Sequence, residues 1–156
     1  MNDPNIPAKS SPVAIPFRQK SSGLSLVILS SIGIYYAVKS FELWQTSGEG
    51  AANLPAGFSL LAITTLVLVI VVEAVLQAVL AIGAGEVAAP TERDREVARS
   101  AKGVAYAVLT VGVLVTFASL FLGATPFEMA NLALFAFVLA EIGKYAAQLY
   151  LYGRKK

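Results

Sequence analysis

The chain has 156 residues, of which 56% are hydrophobic and only 14% charged, where a soluble domain carries roughly 25% charged residues. A globule of this size needs a polar surface over most of its area, and runs such as 60–72 and 104–123 leave almost nothing polar to cover one. Cysteine and histidine are both absent and the net charge is only +2; this excludes disulfides, thiolate chemistry, haem ligation and the commonest zinc sites and argues against nucleic-acid binding, since no basic patch interleaved with aromatics is present.

Residues 1–20 hold four of the seven prolines, with Lys9, Arg18 and Lys20 approaching the first apolar segment. A mobile tail is expected there. A cleaved signal peptide is the rival, but Lys39 and Glu42 follow the apolar run without a convincing small-x-small cleavage site, so the segment is expected to be retained. Hydropathy predicts helices over 22–44, 57–84, 103–122 and 127–152. Each reaches the roughly 20 residues that cross about 30 Å of hydrocarbon. Strands would leave backbone groups unpaired in lipid, and no alternating ten-residue pattern marks a barrel. The expected fold class is all-α, a polytopic membrane protein with four transmembrane helices in a bundle, residues 21–156 forming a single domain.

Between the second and third segments, Thr91 follows Pro90 and can cap a helix, with Asp94 as the short-armed partner of a capping box. The third helix should therefore start ahead of its apolar segment. Glu92 with Arg95 and Glu96 with Arg99 stand at helical spacing, worth a few tenths of a kcal/mol each at an exposed surface. A solvated helix start explains these charges; docking to a cytosolic partner or to anionic lipid headgroups is the second reading.

Arginine and lysine placement sets the expected orientation. Lys9, Arg18 and Lys20 lie in the tail, Arg93, Arg95, Arg99 and Lys102 around the start of the third helix, and Arg154, Lys155 and Lys156 at the end, whereas 45–56 and 123–126 contain no Lys or Arg. By the positive-inside rule both termini and the middle loop are cytoplasmic. Phe41, Trp44, Phe58 and Phe127 then fall near the outer interface, and Tyr150 and Tyr152 near the inner one.

Glu73 and Glu141 each lie twelve residues before the glycine that closes their segment, Gly85 and Gly153, about 18 Å along a helix axis. Leu29 and Ser30 ahead of Gly33 echo Leu109 and Thr110 ahead of Gly112. The match suggests two parallel helical hairpins, each starting from the cytoplasm, and paired features of this kind point to binding sites in transporter folds. Glu73 and Gln77 share one face of the second helix; Glu141, Lys144, Tyr145 and Gln148 share one of the fourth. A lone charge at the centre of a bilayer costs at least about 2.5 to 3.5 kcal/mol, so these side chains should turn inward and find partners. One lysine cannot neutralise two carboxylates, so either a carboxyl holds a proton or a bound cation supplies the missing charge. The centre is then either a structural polar clamp or subunit contact, or a proton- or cation-binding site in which Glu73 is the leading residue. Lys39 and Glu42 can reach the interface by snorkelling and carry no expected role. The stripes Ser30, Gly33, Ala37, Ser40 and Ala136, Ala140, Gly143 read as helix contacts.

No catalytic constellation is visible. Intramembrane serine proteolysis of the usual kind wants a histidine or lysine base and metalloproteolysis a His-Glu-x-x-His motif; without histidine the second cannot exist. Asp3 and Asp94 both fall in segments expected outside the membrane, and no glycine-rich phosphate loop occurs. The chain is expected not to be an enzyme and to need no cofactor or metal.

The stretch Thr91-Glu92-Arg93-Asp94-Arg95, followed by Ala105-Tyr106-Ala107-Val108-Leu109 and by Glu141, Tyr145 and Gln148-Leu149-Tyr150, resembles a family of small bacterial membrane proteins known only as a domain of unknown function. That family has an Asp-Glu-Arg-Asp-Arg motif before its third helix, from which Thr91 departs, and the similarity covers about the second half of the chain. The resemblance implies four helices in a bacterial cytoplasmic membrane and brings no activity or site residues. The expected role is a small accessory or assembly component, with a protein partner or further copies of itself beside it in the lipid bilayer; a small oligomeric proton- or cation-coupled transporter using Glu73 and Glu141 is the alternative.

Overall fold

A computed structural model describes residues 17–47, 53–83 and 91–154. Four helices fill them: α1 (Phe17–Ser47), α2 (Phe58–Gly83), α3 (Glu92–Phe121) and α4 (Pro126–Gly153). All four are long and apolar enough to cross a membrane.

The helix ends follow local chemistry. α1 begins at Phe17 and runs to Ser47, beyond the predicted 22–44 at both ends. It takes residues 17–20 from the expected tail, because the prolines of that segment stop at Pro16 and none recurs before Pro55 to break a helix; residues 1–16 lie outside the described residues. α2 opens from a turn in which Gly57 takes φ +85, a conformation that favours glycine, and the Phe58 N–H donates to the Pro55 carbonyl at 3.1 Å. α3 starts with the predicted box: the Thr91 hydroxyl accepts from the Asp94 N–H at 3.2 Å and the Thr91 N–H donates to the Asp94 carboxylate at 3.0 Å. Glu92 and Arg95 approach to 3.6 Å at the surface, while Glu96 and Arg99 form no ion pair among the described residues. α3 ends in a Schellman motif, with Gly123 at φ +78 and the Ala124 N–H donating to the Ser119 carbonyl at 3.1 Å. Two residues later Thr125 and Glu128 form a second capping box around Pro126 at the first turn of α4.

Packing is organised by α4, which touches all three other helices. Among the described residues, α3 packs on α4, α1 packs on both α4 and α2, and α2 reaches α4 only sparingly; no backbone approach of α1 or α2 to α3 is found among them. Among the described residues α1, α2 and α4 thus share one core, and α3 lies against α4 on the far side of it. The two hairpins do run in parallel. Ser22 lies beside Gln148 and Tyr36 beside Asn131, so α1 is antiparallel to α4; Tyr152 lies beside Asp94, so α3 is too. Both hairpins start at the end that carries Lys20, Arg93 and Arg154. A two-fold relation between them is absent, since α1 lies on α4 but α3 has no matching contact with α2.

The tightest approach is between α3 and α4. A Cβ built on Gly112 would stand 2.1 Å from the Ala136 Cβ, so the two backbones meet there as small-residue interfaces allow. Ala101, Ala136 and Ala140 are buried along the same seam. On the other side of α4, Gly33 of α1 faces Val138 and Ile142, which places the Ser30, Gly33, Ala37, Ser40 stripe against α4 as expected. Two clusters fill the α1–α2–α4 junction: Leu29, Ile32, Val69 and Tyr145 towards the basic end, and Tyr36, Phe58, Phe127 and Leu134 towards the other.

Candidate functional site

The parallel course of α2 and α4 brings their acidic residues to one height. Phe58 and Phe127 pack edge to face at 4.9 Å between centroids, and from there Glu73 is fifteen residues along α2 and Glu141 fourteen along α4. At 1.5 Å per residue both stand about 22 Å from the aromatic pair. Equal spacing from a shared contact is what makes the two carboxylates neighbours.

Lys144 joins them. Its Nζ donates to Glu73 Oε1 at 2.9 Å and to Glu141 Oε2 at 2.5 Å, with the lysine side chain 13% exposed and each carboxylate 20%. The ammonium also lies 4.8 Å from the centroid of the Tyr145 ring, within cation–π range. The Tyr145 hydroxyl faces Glu73 and Ser25, and its ring belongs to the apolar cluster with Leu29, Ile32 and Val69. The charges thus sit against a low-dielectric wall, where electrostatic interactions are strong and an unpaired charge is expensive. Because α2 and α4 otherwise meet sparingly, the Glu73–Lys144 pair is a principal tie between them.

Two further residues were predicted for this centre. The Gln77 side chain lies outside the described residues. Gln148 is turned towards α1, where its Oε1 accepts from the Ser22 hydroxyl at 2.8 Å.

A second polar centre escaped sequence reasoning. Asn131 Oδ1 accepts from the Tyr36 hydroxyl at 2.7 Å and from the Ser40 hydroxyl, while its Nδ2 donates to the Phe127 carbonyl at 2.9 Å. Tyr36, Ser40 and Asn131 are all buried. The available signal was Asn131 itself, an amide within an apolar run, which needs partners there. Replacing Asn131 with leucine leaves two buried hydroxyls without their acceptor and should cost about 2 kcal/mol. Unfolding of the purified variant in mixed micelles, titrated with sodium dodecyl sulfate and followed by circular dichroism, measures this. Tyr36→Phe with Ser40→Ala in the same background should recover most of the loss.

Beside Asn131, between α1 and α3, a groove of about 710 Å³ runs over α4 and is lined by Trp44, Leu122, Phe127 and Phe135 among others. The Asn131 amide and Ser40 hydroxyl at its floor are already engaged with protein atoms, so they offer a ligand little. Among the described residues no group of three or more acidic side chains could hold a metal ion. In the charged centre the Lys144 ammonium occupies the place between the carboxylates that a cation would take.

No family model matches the chain, and no curated protein or solved structure matches it.

Proposed function

We propose that the chain is an integral membrane protein of a bacterial cytoplasmic membrane, with both termini cytoplasmic, that serves as a small accessory or assembly component of a larger complex. Lipid insertion is supported by the outward apolar side chains on every helix, such as Ile34, Leu60, Ile63, Val113 and Phe117. Water would not solvate that surface, and patches far smaller already mark interaction sites on soluble proteins. The resemblance of the second half to small bacterial membrane proteins points the same way.

The observation that carries the accessory role is the closure of the charged centre. Lys144 binds both carboxylates directly, which makes the centre a clamp between α2 and α4. Large apolar faces, above all on α3, remain for contact with neighbouring subunits or lipid. Purification in a mild detergent, with the mass and composition of the complex determined, tests the role: a stoichiometric partner supports it, and a pure homo-oligomer opposes it.

Proton- or cation-coupled transport by an oligomer is the second reading, favoured by the charge balance. One ammonium between two carboxylates leaves one formal negative charge, which a proton or a cation would neutralise. Glu73→Gln separates the readings. For the clamp, replacing a charge-assisted bond by a neutral one should cost about 1 kcal/mol of stability and loosen α2. For a transporter, pH-driven flux in liposomes should fall while the fold stays intact. A variant equal to wild type in both assays would remove Glu73 from consideration.

A further inference from the structure

Seen from α4, the far side of α3 changes character along its length. Arg95, Arg99, Lys102 and Tyr106 recur at helical spacing on one stripe, which continues through Val113 and Phe117, and all six are exposed. The opposite stripe, with Ala101, Gly112 and Ser119, is the small-residue face seated on α4. The outward stripe is bulky where it is apolar, which suits acyl chains better than a closely packed helix. Its dimensions match a bilayer: from Lys102 to Leu122 is twenty residues, about 30 Å. Lys102 therefore stands at the boundary of the hydrocarbon, Arg99 one turn above it among the headgroups, and Tyr106 one turn below, where an amphipathic ring is at home.

The charges on this face are unevenly engaged. Glu92 pairs with Arg95 at 3.6 Å, whereas Arg99 and Lys102 have no ion-pair partner among the described residues. The same end of the molecule also exposes Lys20 on α1, and Arg93, whose guanidinium donates to the Arg154 carbonyl at 3.2 Å and ties the start of α3 to the end of α4. That tie holds the basic stripe at a set height on a rigid pair of helices.

We propose that this stripe, with Arg99 and Lys102 as its cations and Tyr106 beneath them, binds an anionic phospholipid, the headgroup phosphate on the two cations and the acyl chains along Val113 and Phe117. The site rests on the membrane reading above, since its depth is defined by the bilayer.

The test is native mass spectrometry of the full chain in mild detergent, titrated separately with dioleoyl phosphatidylglycerol and dioleoyl phosphatidylcholine. The wild type should prefer phosphatidylglycerol about thirtyfold, as two surface cations confer, and the preference should shrink with added salt. Arg99→Gln with Lys102→Gln should bring the two lipids to near parity, each single substitution should lose about fivefold, and the charge-conserving pair Arg99→Lys with Lys102→Arg should retain the preference. Neither side chain packs on α4, so helix content should not change. A wild type indifferent to headgroup charge, or a preference that survives the double glutamine variant, would overturn the site. Extraction of native membranes with alkaline carbonate separates this from failure of the membrane reading: protein released by carbonate rejects insertion itself, while protein retained in the membrane without lipid preference rejects only the site.

Discussion

Lys144→Met is expected to be the most damaging single substitution in the charged centre. It removes the ammonium that binds both Glu73 and Glu141 and leaves two carboxylates, each only 20% exposed, facing one another. Loss of one partner of a buried pair costs about 3 to 5 kcal/mol. The residual exposure, and the ability of a carboxyl to take up a proton, place this case at the lower end, about 3 kcal/mol. Stability in mixed micelles, read by circular dichroism during titration with sodium dodecyl sulfate, gives the value directly. The triple variant Lys144→Met, Glu73→Gln, Glu141→Gln carries no charge at the centre and should recover at least half of the loss, since its carboxamides can bond one another. Recovery identifies charge imbalance as the cause; a Lys144→Met protein as stable as wild type would show that the centre does not clamp α2 to α4.

Gly112→Ala should separate α3 from α4. Two effects oppose each other. Alanine is the better helix former by about 1 kcal/mol, so an unconstrained site would gain stability. Here the new methyl would lie 2.1 Å from the Ala136 Cβ and 3.2 Å from its Cα. Neither atom belongs to a side chain that can rotate away, so the backbones must move apart. Overpacking that forces backbone shifts costs about 1 to 3 kcal/mol or more, and among the described residues α4 is the helix on which α3 packs. A net loss of about 2 kcal/mol is expected in the same unfolding assay. Ala136→Gly introduced with Gly112→Ala should restore part of it by returning the missing space. Gly33→Ala provides the contrast: its methyl would meet Val138 Cγ1 at 3.0 Å, a side-chain atom that can shift, and the cost should be smaller than at Gly112. Equal effects at the two glycines would mean that the α3–α4 seam is looser than its geometry indicates.

Much of the architecture was legible beforehand for reasons that particular residues make plain. The Thr91–Asp94 box formed as read because capping depends on four consecutive residues and nothing distant. The equal height of Glu73 and Glu141 was visible as well, because helix rise converts residue number into depth without reference to packing. The Thr125–Glu128 box is equally local, its Thr-Pro-Phe-Glu signal standing in the sequence. Asn131 differs, since its partners Tyr36 and Ser40 lie more than ninety residues away and no local pattern connects them.

The amino-acid sequence by itself determined four long apolar helices, their caps, and the depth of each polar group along its own axis. These follow from composition, hydropathy and short-range hydrogen bonding. Only the tertiary structure decided which faces meet: that α4 is the shared partner, that α3 packs on α4 and on no other described helix, and that Lys144 lies between both carboxylates while Gln148 turns to Ser22. The physical reason is that helices uniformly apolar around their circumference carry little rotational preference. Their mutual orientation is set by where two small residues, such as Gly112 and Ala136, let backbones approach, and by which polar groups can reach one another once they have.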